Sequence, residues 1–232
     1  MGSGDAAGRR YGAAVRIRPA RTVTFTKTTR WAAAGYTPAG KRPGAEGPIA
    51  EAAAGRHIYV YGSSGVRTAE ELSARRKIAE TAAAWSSSRA RVNLKPRVKA
   101  DSEITPEDTD TADLILFGTR ETNSAIARFA PTLPLALNAG AADYGLLFIA
   151  PTGRHYALVS SGLPWWTGAD EANRGGYQYA PEPYRLLGTF GDYILFKGSL
   201  ANVLAEGRFD KNWKIPAEAA AKIAATGTVT LR

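Results

Sequence analysis

The 232 residues carry no cysteine, a net charge of +9 and 44% hydrophobic side chains. This length and apolar content suit one large domain, or one domain with a small appendage. The missing thiols exclude disulfides and cysteine-ligated metal, and no apolar run reaches the ~18 residues of a membrane-spanning helix.

The charge is uneven. Residues 1–42 hold nine Lys/Arg against a single acid, Asp5, a balance of +8, while the remaining residues carry 21 basic and 20 acidic side chains, +1. A basic arm attracts nucleic acid or anionic surfaces. No nucleic-acid module is legible beside it, so it reads as an exposed N-terminal piece without a nucleic-acid partner. Residues 1–20 read as a disordered leader, and MGSGDAAGRR lacks the apolar stretch of a secretory signal. Residues 21–48 read as a small β-rich appendage and linker: Thr22–Thr26 alternates β-formers, Trp31 is an apolar anchor, and Gly35–Gly47 is rich in Gly and Pro.

The main α/β domain is expected over residues 49–213. His57–Tyr61 is a β-branched and aromatic strand ending at Gly62-Ser63-Ser64-Gly65. A helix follows from Thr68 to Trp85, with Leu72, Ile78, Ala82 and Trp85 on its apolar side and Arg75, Arg76, Lys77 and Glu80 in water. Val92–Val98 contains Pro96 and is demoted to an edge strand or an extended connection. Asp101–Asp110 is acidic but lacks the spacing and glycine of a Ca²⁺ loop. It reads as a solvated helix start, with Thr105 as N-cap and Pro106 at the first helical position.

Asp113–Arg128 is the central unit. Leu114–Phe117 is a continuous apolar run, suited to a strand covered on both faces. Gly118 breaks it, Thr119–Ser124 is a polar turn, and a helix starts near Ser124 and ends at Pro131 and Pro134. Tyr144–Ala150 and Tyr156–Ser160 are strands whose link is too short for a crossover, so they predict an antiparallel hairpin. Tyr193–Lys197 is a last strand candidate, and 214–232 reads as a tail with a weak Ala-rich helix at Ala217–Ala225. Alternating strands and helices predict a three-layer α/β fold: a mainly parallel, Rossmann/flavodoxin-like sheet carrying one antiparallel hairpin. Right-handed crossovers would bring the loops after residues 61, 117 and 150 to one edge, where ligands sit in such sheets.

The candidate chemistry lies on those loops. A serine-hydrolase elbow needs G-x-S-x-G, and Gly62-Ser63-Ser64-Gly65 is one residue short. If the hairpin forms, His155 is expected near the loop edge, which keeps a Ser63 or Ser64–His155–Asp143 set open as an alternative. His57, at the opposite edge, reads as structural. A second alternative is an anion or small-ligand module using Gly62, Gly65, Gly118, Thr119, Thr122, Asn123 and Ser124, because strand-to-helix loops can offer free amides. Trp165-Trp166 reads either as an exposed stacking patch or as one core ring beside one surface ring. No dinucleotide fingerprint, Walker loop or zinc set is present, so no cofactor and no metal are assigned.

Six stretches occur in a telling order: KRPGAEGPI (Lys41–Ile49), DSEITPED (Asp101–Asp108), LILFGTRETNSAIAR (Leu114–Arg128), LPL (Leu133–Leu135), YGLLFIAPTGRHYALVSSG (Tyr144–Gly162) and FDKNW (Phe209–Trp213). Together, from about Thr22 to Trp213, the chain resembles the C-terminal α/β region of large bacterial secreted serine hydrolases of the prolyl-oligopeptidase and esterase type. In that family the nucleophile sits in a separate catalytic α/β-hydrolase domain, and no stretch here matches its motif. The resemblance implies an accessory, non-catalytic domain acting by domain packing or substrate placement. It further implies a catalytic partner domain, in cis or as a separate chain, and a secreted or periplasmic setting. If the chain is itself an enzyme, an ester or lactone hydrolase is the expectation. Unpaired sheet edges and the Trp165-Trp166 pair leave self-association open.

Overall fold

The computed structural model describes residues 24–27, 31–34, 40–42, 44–84, 96–174 and 182–232. The chain divides into two compact units, Met1–Gly40 and Lys41–Arg232. In the first, β1 (Thr24–Lys27) and β2 (Trp31–Ala34) form an antiparallel ladder, with Thr24 opposite Ala34 and Lys27 opposite Trp31. The expected leader, Thr22, Val23 and the Trp31 side chain lie outside the described residues, as do Trp85 and residues 92–95.

In the second unit α1 (Glu51–Ala54) precedes β3 (His57–Tyr61), α2 (Ala69–Ala83), β4 (Arg97–Ala100), α3 (Pro106–Thr111) and β5 (Asp113–Phe117). Then come α4 (Ser124–Phe129), β6 (Leu135–Leu137), β7 (Tyr144–Thr152), β8 (His155–Gly162) and α5 (Pro183–Leu186). β9 (Tyr193–Lys197), β10 (Val203–Gly207), α6 (Ala217–Ala225) and β11 (Val229–Leu231) complete it. Seven strands form one sheet in the order β10-β9-β7-β8-β5-β3-β4, and β6 pairs with β11 in a two-stranded sheet of its own.

The α/β class is as expected, but the sheet is mixed, not mainly parallel. Parallel pairing is confined to β8-β5-β3-β4, and β7 pairs antiparallel with both β8 and β9, as does β9 with β10. The cause is local: Gly153-Arg154 reverses the chain between Thr152 and His155, which face each other across the hairpin. The reversal also corrects one expected loop. The segment after residue 150 lies on the edge opposite the loops after residues 61 and 117.

Strand identity follows from where each run is buried. β5 is flanked by β3 and β8, and Leu114–Phe117 are all buried, as a continuous apolar run requires. Thr68 caps α2, accepting from the Glu71 amide at 3.2 Å, while Glu71 accepts in return from the Arg67 amide at 3.1 Å. Ala79, Ala82 and Ala83 are the buried face of α2. Thr105 caps α3 with Pro106 behind it, as the sequence predicts, and Asp108 completes a reciprocal capping box. Residues 214–232 are folded back onto the unit: Ile223 of α6 is fully buried, and Val229–Leu231 pairs with Leu135–Leu137. No helix among the described residues is long and apolar enough to cross a membrane.

The entry segment is fastened by charge. Lys41 Nζ is ion-paired with Asp192, at the start of β9, whose carboxylate is wholly buried. Asp192 Oδ2 also accepts from the Phe209 amide at 2.8 Å, and the Lys41 ammonium lies 5.1 Å from the Trp213 ring centroid. The Lys41 amide bonds the Lys211 carbonyl at 2.7 Å, so Lys41–Ile49 and Phe209–Trp213 meet around one buried carboxylate. Removing one partner strands the other as a buried charge. Lys41→Met is therefore expected to cost about 3–5 kcal/mol in urea unfolding, and adding Asp192→Asn is expected to recover part of the loss. A single variant as stable as the parent would contradict this account.

Candidate functional site

The parallel strands set the geometry. Register places Tyr61 beside both Ala100 and Phe117, so the residues that follow β4, β3 and β5 emerge level with one another at the strands' C-terminal edge. β3 connects onward to β4 on one side, and β5 leads on towards β7 and β8 on the other. The β3–β5 junction is thus the point where the connections diverge, the usual ligand crevice of an open α/β sheet.

In this chain the crevice is filled from within by Asp101, the first residue after β4. Its carboxylate accepts from the Ser63 amide (2.6 Å), Ser63 Oγ (2.5 Å), Ser64 Oγ (3.0 Å) and the Ser124 amide (2.5 Å). The residue is 5% exposed, so the expectation of a solvated acidic start fails at this position. Burial pushes the Asp101 carboxyl up, but the hydrogen bonds from Ser63 and Ser124 outweigh it and hold it at about 2.

The loop amides are consumed in the same way. The Ser64 amide donates to the Thr122 carbonyl at 3.2 Å, and those of Thr122 and Asn123 donate to the Thr119 carbonyl at 3.1 and 2.9 Å. The Thr119 amide donates to Thr122 Oγ1 at 2.8 Å. Asn123, fully buried, caps α4: Oδ1 accepts from the Ala125 and Ile126 amides, and Nδ2 donates to the Val60 and Phe117 carbonyls. Arg75, expected in water, instead donates through Nη1 to the carbonyls of Gly62, Ser64 and Thr122. The two loops touch so closely that a Cβ on Gly62 would stand 2.0 Å from the Thr122 carbonyl oxygen. Gly118, at φ +116°, would bring a Cβ within 2.5 Å of Thr122 Oγ1, and Gly65 turns at φ +66°.

The expected triad is not brought together. His155 opens β8 at the opposite edge, where its Nδ1 lies 3.3 Å from Asp113 Oδ1 and its Nε2 donates to the Asp110 carbonyl at 2.9 Å. The length of β5 separates it from Ser63 and Ser64, roughly 13 Å at ~3.3 Å per residue. The physical reason is the hairpin's direction: β8 runs parallel to β5, so its first residue stands beside Asp113, not beside Gly118. Asp143, just ahead of β7, is exposed and paired with Lys197 Nζ at 3.5 Å. Three strand spacings, roughly 14 Å at ~4.8 Å each, lie between β7 and β3. His57 is at the lower edge too, its Nδ1 2.8 Å from the Gly55 carbonyl.

Trp165 is fully buried, stacked 5.5 Å from the Phe117 ring, with Nε1 donating to the Pro183 carbonyl at 2.7 Å. Trp166 meets it edge-on at 4.9 Å and is half-buried. The pair is one core ring and one boundary ring, so Trp165 offers no stacking surface to a ligand. Among the described residues no group of three or more His, Asp or Glu side chains is gathered to hold a metal ion.

The residue that sequence reasoning missed is Asp101. The available signal was positional: an acid directly after a strand, level with two Gly/Ser loops. Comparison with protein-family models, with curated proteins and with solved structures finds no match.

The clasp has a pH signature. Because Asp101 titrates lower when folded than at its ordinary 3.8, its contribution is whole above pH ~4 and is lost as pH falls through about 2. After allowance for solvent screening this is worth about 1–2 kcal/mol. Asp108, held at about 2 against its own burial by Lys99 and Thr105, titrates in the same window. The difference in unfolding free energy between the parent and Asp101→Asn is therefore expected to shrink by that amount between pH 5 and pH 2. A difference independent of pH would refute the clasp.

Proposed function

We propose that the chain is an accessory, non-catalytic α/β domain of a secreted bacterial serine hydrolase, acting by packing against a catalytic domain or by placing its substrate. The observation that carries this reading is the use made of Ser63 and Ser64. Both hydroxyls donate to Asp101, and both histidines of the chain stand at the other edge of the sheet. A serine nucleophile needs a base able to take its proton; the group in reach of both hydroxyls is the Asp101 carboxylate, which at about 2 is too weak a base to activate them. The resemblance in six ordered stretches supplies the family and the exported setting, and the alternation of strands and helices supplies the Rossmann/flavodoxin-like reading of the parallel half.

Two of those stretches have structural work that suits a scaffold. KRPGAEGPI and FDKNW are joined through Lys41, Asp192 and Phe209. The anion-module reading is disfavoured by the loops' own bonding, since the amides of Ser63, Ser64, Thr119 and Thr122–Ile126 all have acceptors within the chain.

The test is covalent labelling with a fluorophosphonate, together with turnover of short p-nitrophenyl esters. No adduct on Ser63 or Ser64 and no hydrolysis above buffer are expected. Release of p-nitrophenol that disappears in a Ser63→Ala/Ser64→Ala double variant would overturn the non-catalytic assignment.

A further inference from the structure

The seven-stranded sheet ends at β4 on one side and at β10 on the other, and the two ends differ. The β4 edge is guarded: Pro96 precedes it, and Arg97 and Lys99 lie along it, paired with Asp108 at 3.7 and 2.7 Å. Proline and cationic side chains are the usual protection of an edge strand against pairing with another chain. β10 carries no lysine, arginine or proline over Val203–Gly207. A groove of about 500 Å³ runs along it, bounded on the far side by Pro216, Glu218, Ala219 and Lys222 of the α6 segment.

Register decides which β10 groups face that groove. The Ile149 amide donates to the Asp192 carbonyl, so by alternation Ile194 and Phe196 turn their backbones to β7 while Tyr193, Leu195 and Lys197 turn theirs to β10. Lys197 accordingly donates to the Asn202 carbonyl at 3.0 Å. Gly207 and Ala205 stand opposite Tyr193 and Leu195 and are used within the sheet, which leaves the amide and carbonyl of Glu206 pointing outward. Beyond the ladder, no backbone hydrogen bond reaches Glu206 or Arg208 among the described residues. Both side chains are exposed; Glu206 takes one bond from Arg174 Nη2 at 2.5 Å and stays 44% exposed.

The order acid-glycine-base is complementary to its own reverse. An antiparallel copy centred on Gly207 sets each Glu206 opposite the other chain's Arg208, and opposite charges facing across strands are favourable. Glycine at the centre puts no side chain into the close non-hydrogen-bonded pair, where Cα atoms approach to ~4.5 Å. We propose that two copies of this chain join antiparallel along β10, with Glu206 facing the partner's Arg208 on both sides of a two-fold axis at Gly207. The outward backbone of Glu206 supplies the attachment and the charges set the register. A ladder this short makes the dimer weak and concentration-dependent. This goes beyond the accessory-domain reading and does not depend on it.

The test is sedimentation equilibrium of the full chain across the micromolar range, where the mass is expected to rise with concentration from one chain towards two. Glu206→Arg and Arg208→Glu each set two like-charged pairs across the axis, and each is expected to weaken the dimer by about tenfold or more. The exchange Glu206→Arg/Arg208→Glu is expected to restore it, with circular dichroism unchanged in all three variants. A single-chain mass at every concentration overturns the proposal and leaves the edge to a strand of another protein. So does a dimer indifferent to both reversals, or an exchange variant that associates no more tightly than either reversal alone.

Discussion

One carboxylate holds the upper edge of the sheet together. Asp101 stands at the end of β4 and takes hydrogen bonds from the loop after β3 and from the first residue of α4, so three neighbouring strands share one anion. A buried charge is costly unless fully hydrogen-bonded, and charge-assisted bonds are the strong ones. The loops therefore converge because the carboxylate needs their donors, and the carboxylate stays buried because the loops supply them. Gly62 follows from the same constraint: with Thr122 packed on its Cα, no side chain fits there.

The lower edge repeats the device with different partners. Asp113 accepts from the Tyr156 amide at 2.8 Å and faces His155. Burial raises the Asp113 carboxyl, with the Tyr156 amide and His155 opposing. Tyr156 donates its hydroxyl to Glu51 and receives the Gly47 amide at 3.3 Å, while Asp192 binds Lys41 and the Phe209 amide. Carboxylates at strand ends thus tie connecting segments to the sheet at both edges. Edges tied in this way, and the opposed positions of the serines and histidines, are what supports the proposed accessory role.

Much of the fold was legible because local pattern and tertiary demand coincide. The apolar run Leu114–Phe117, the Thr105-Pro106 helix start, the Tyr144–Ser160 hairpin and the helix at Ala217–Ala225 all appear where residue chemistry places them. β10 was missed because Val203–Gly207 mixes weak strand formers and gains its conformation by pairing with β9. No strand is expected at β6 from the sequence, since its partner β11 is far away along the chain. The site was less legible for a specific reason. The direction of β8 decides on which edge His155 falls, and the neighbours of Asp101 are fixed by strand order; neither quantity is written in any local stretch.

The pairing of β6 with β11 bears on how the molecule is made. Thr230 Oγ1 donates to Asn138 Oδ1 across 92 residues of chain, and β6 finds its ladder partner in Val229–Leu231. During synthesis β6 leaves the ribosome long before that partner exists, so Leu135–Leu137 wait without a ladder partner. Closing so long a loop is entropically slow. The β6–β11 ladder is accordingly among the last contacts the chain can make, after all seven strands of the main sheet have been synthesised.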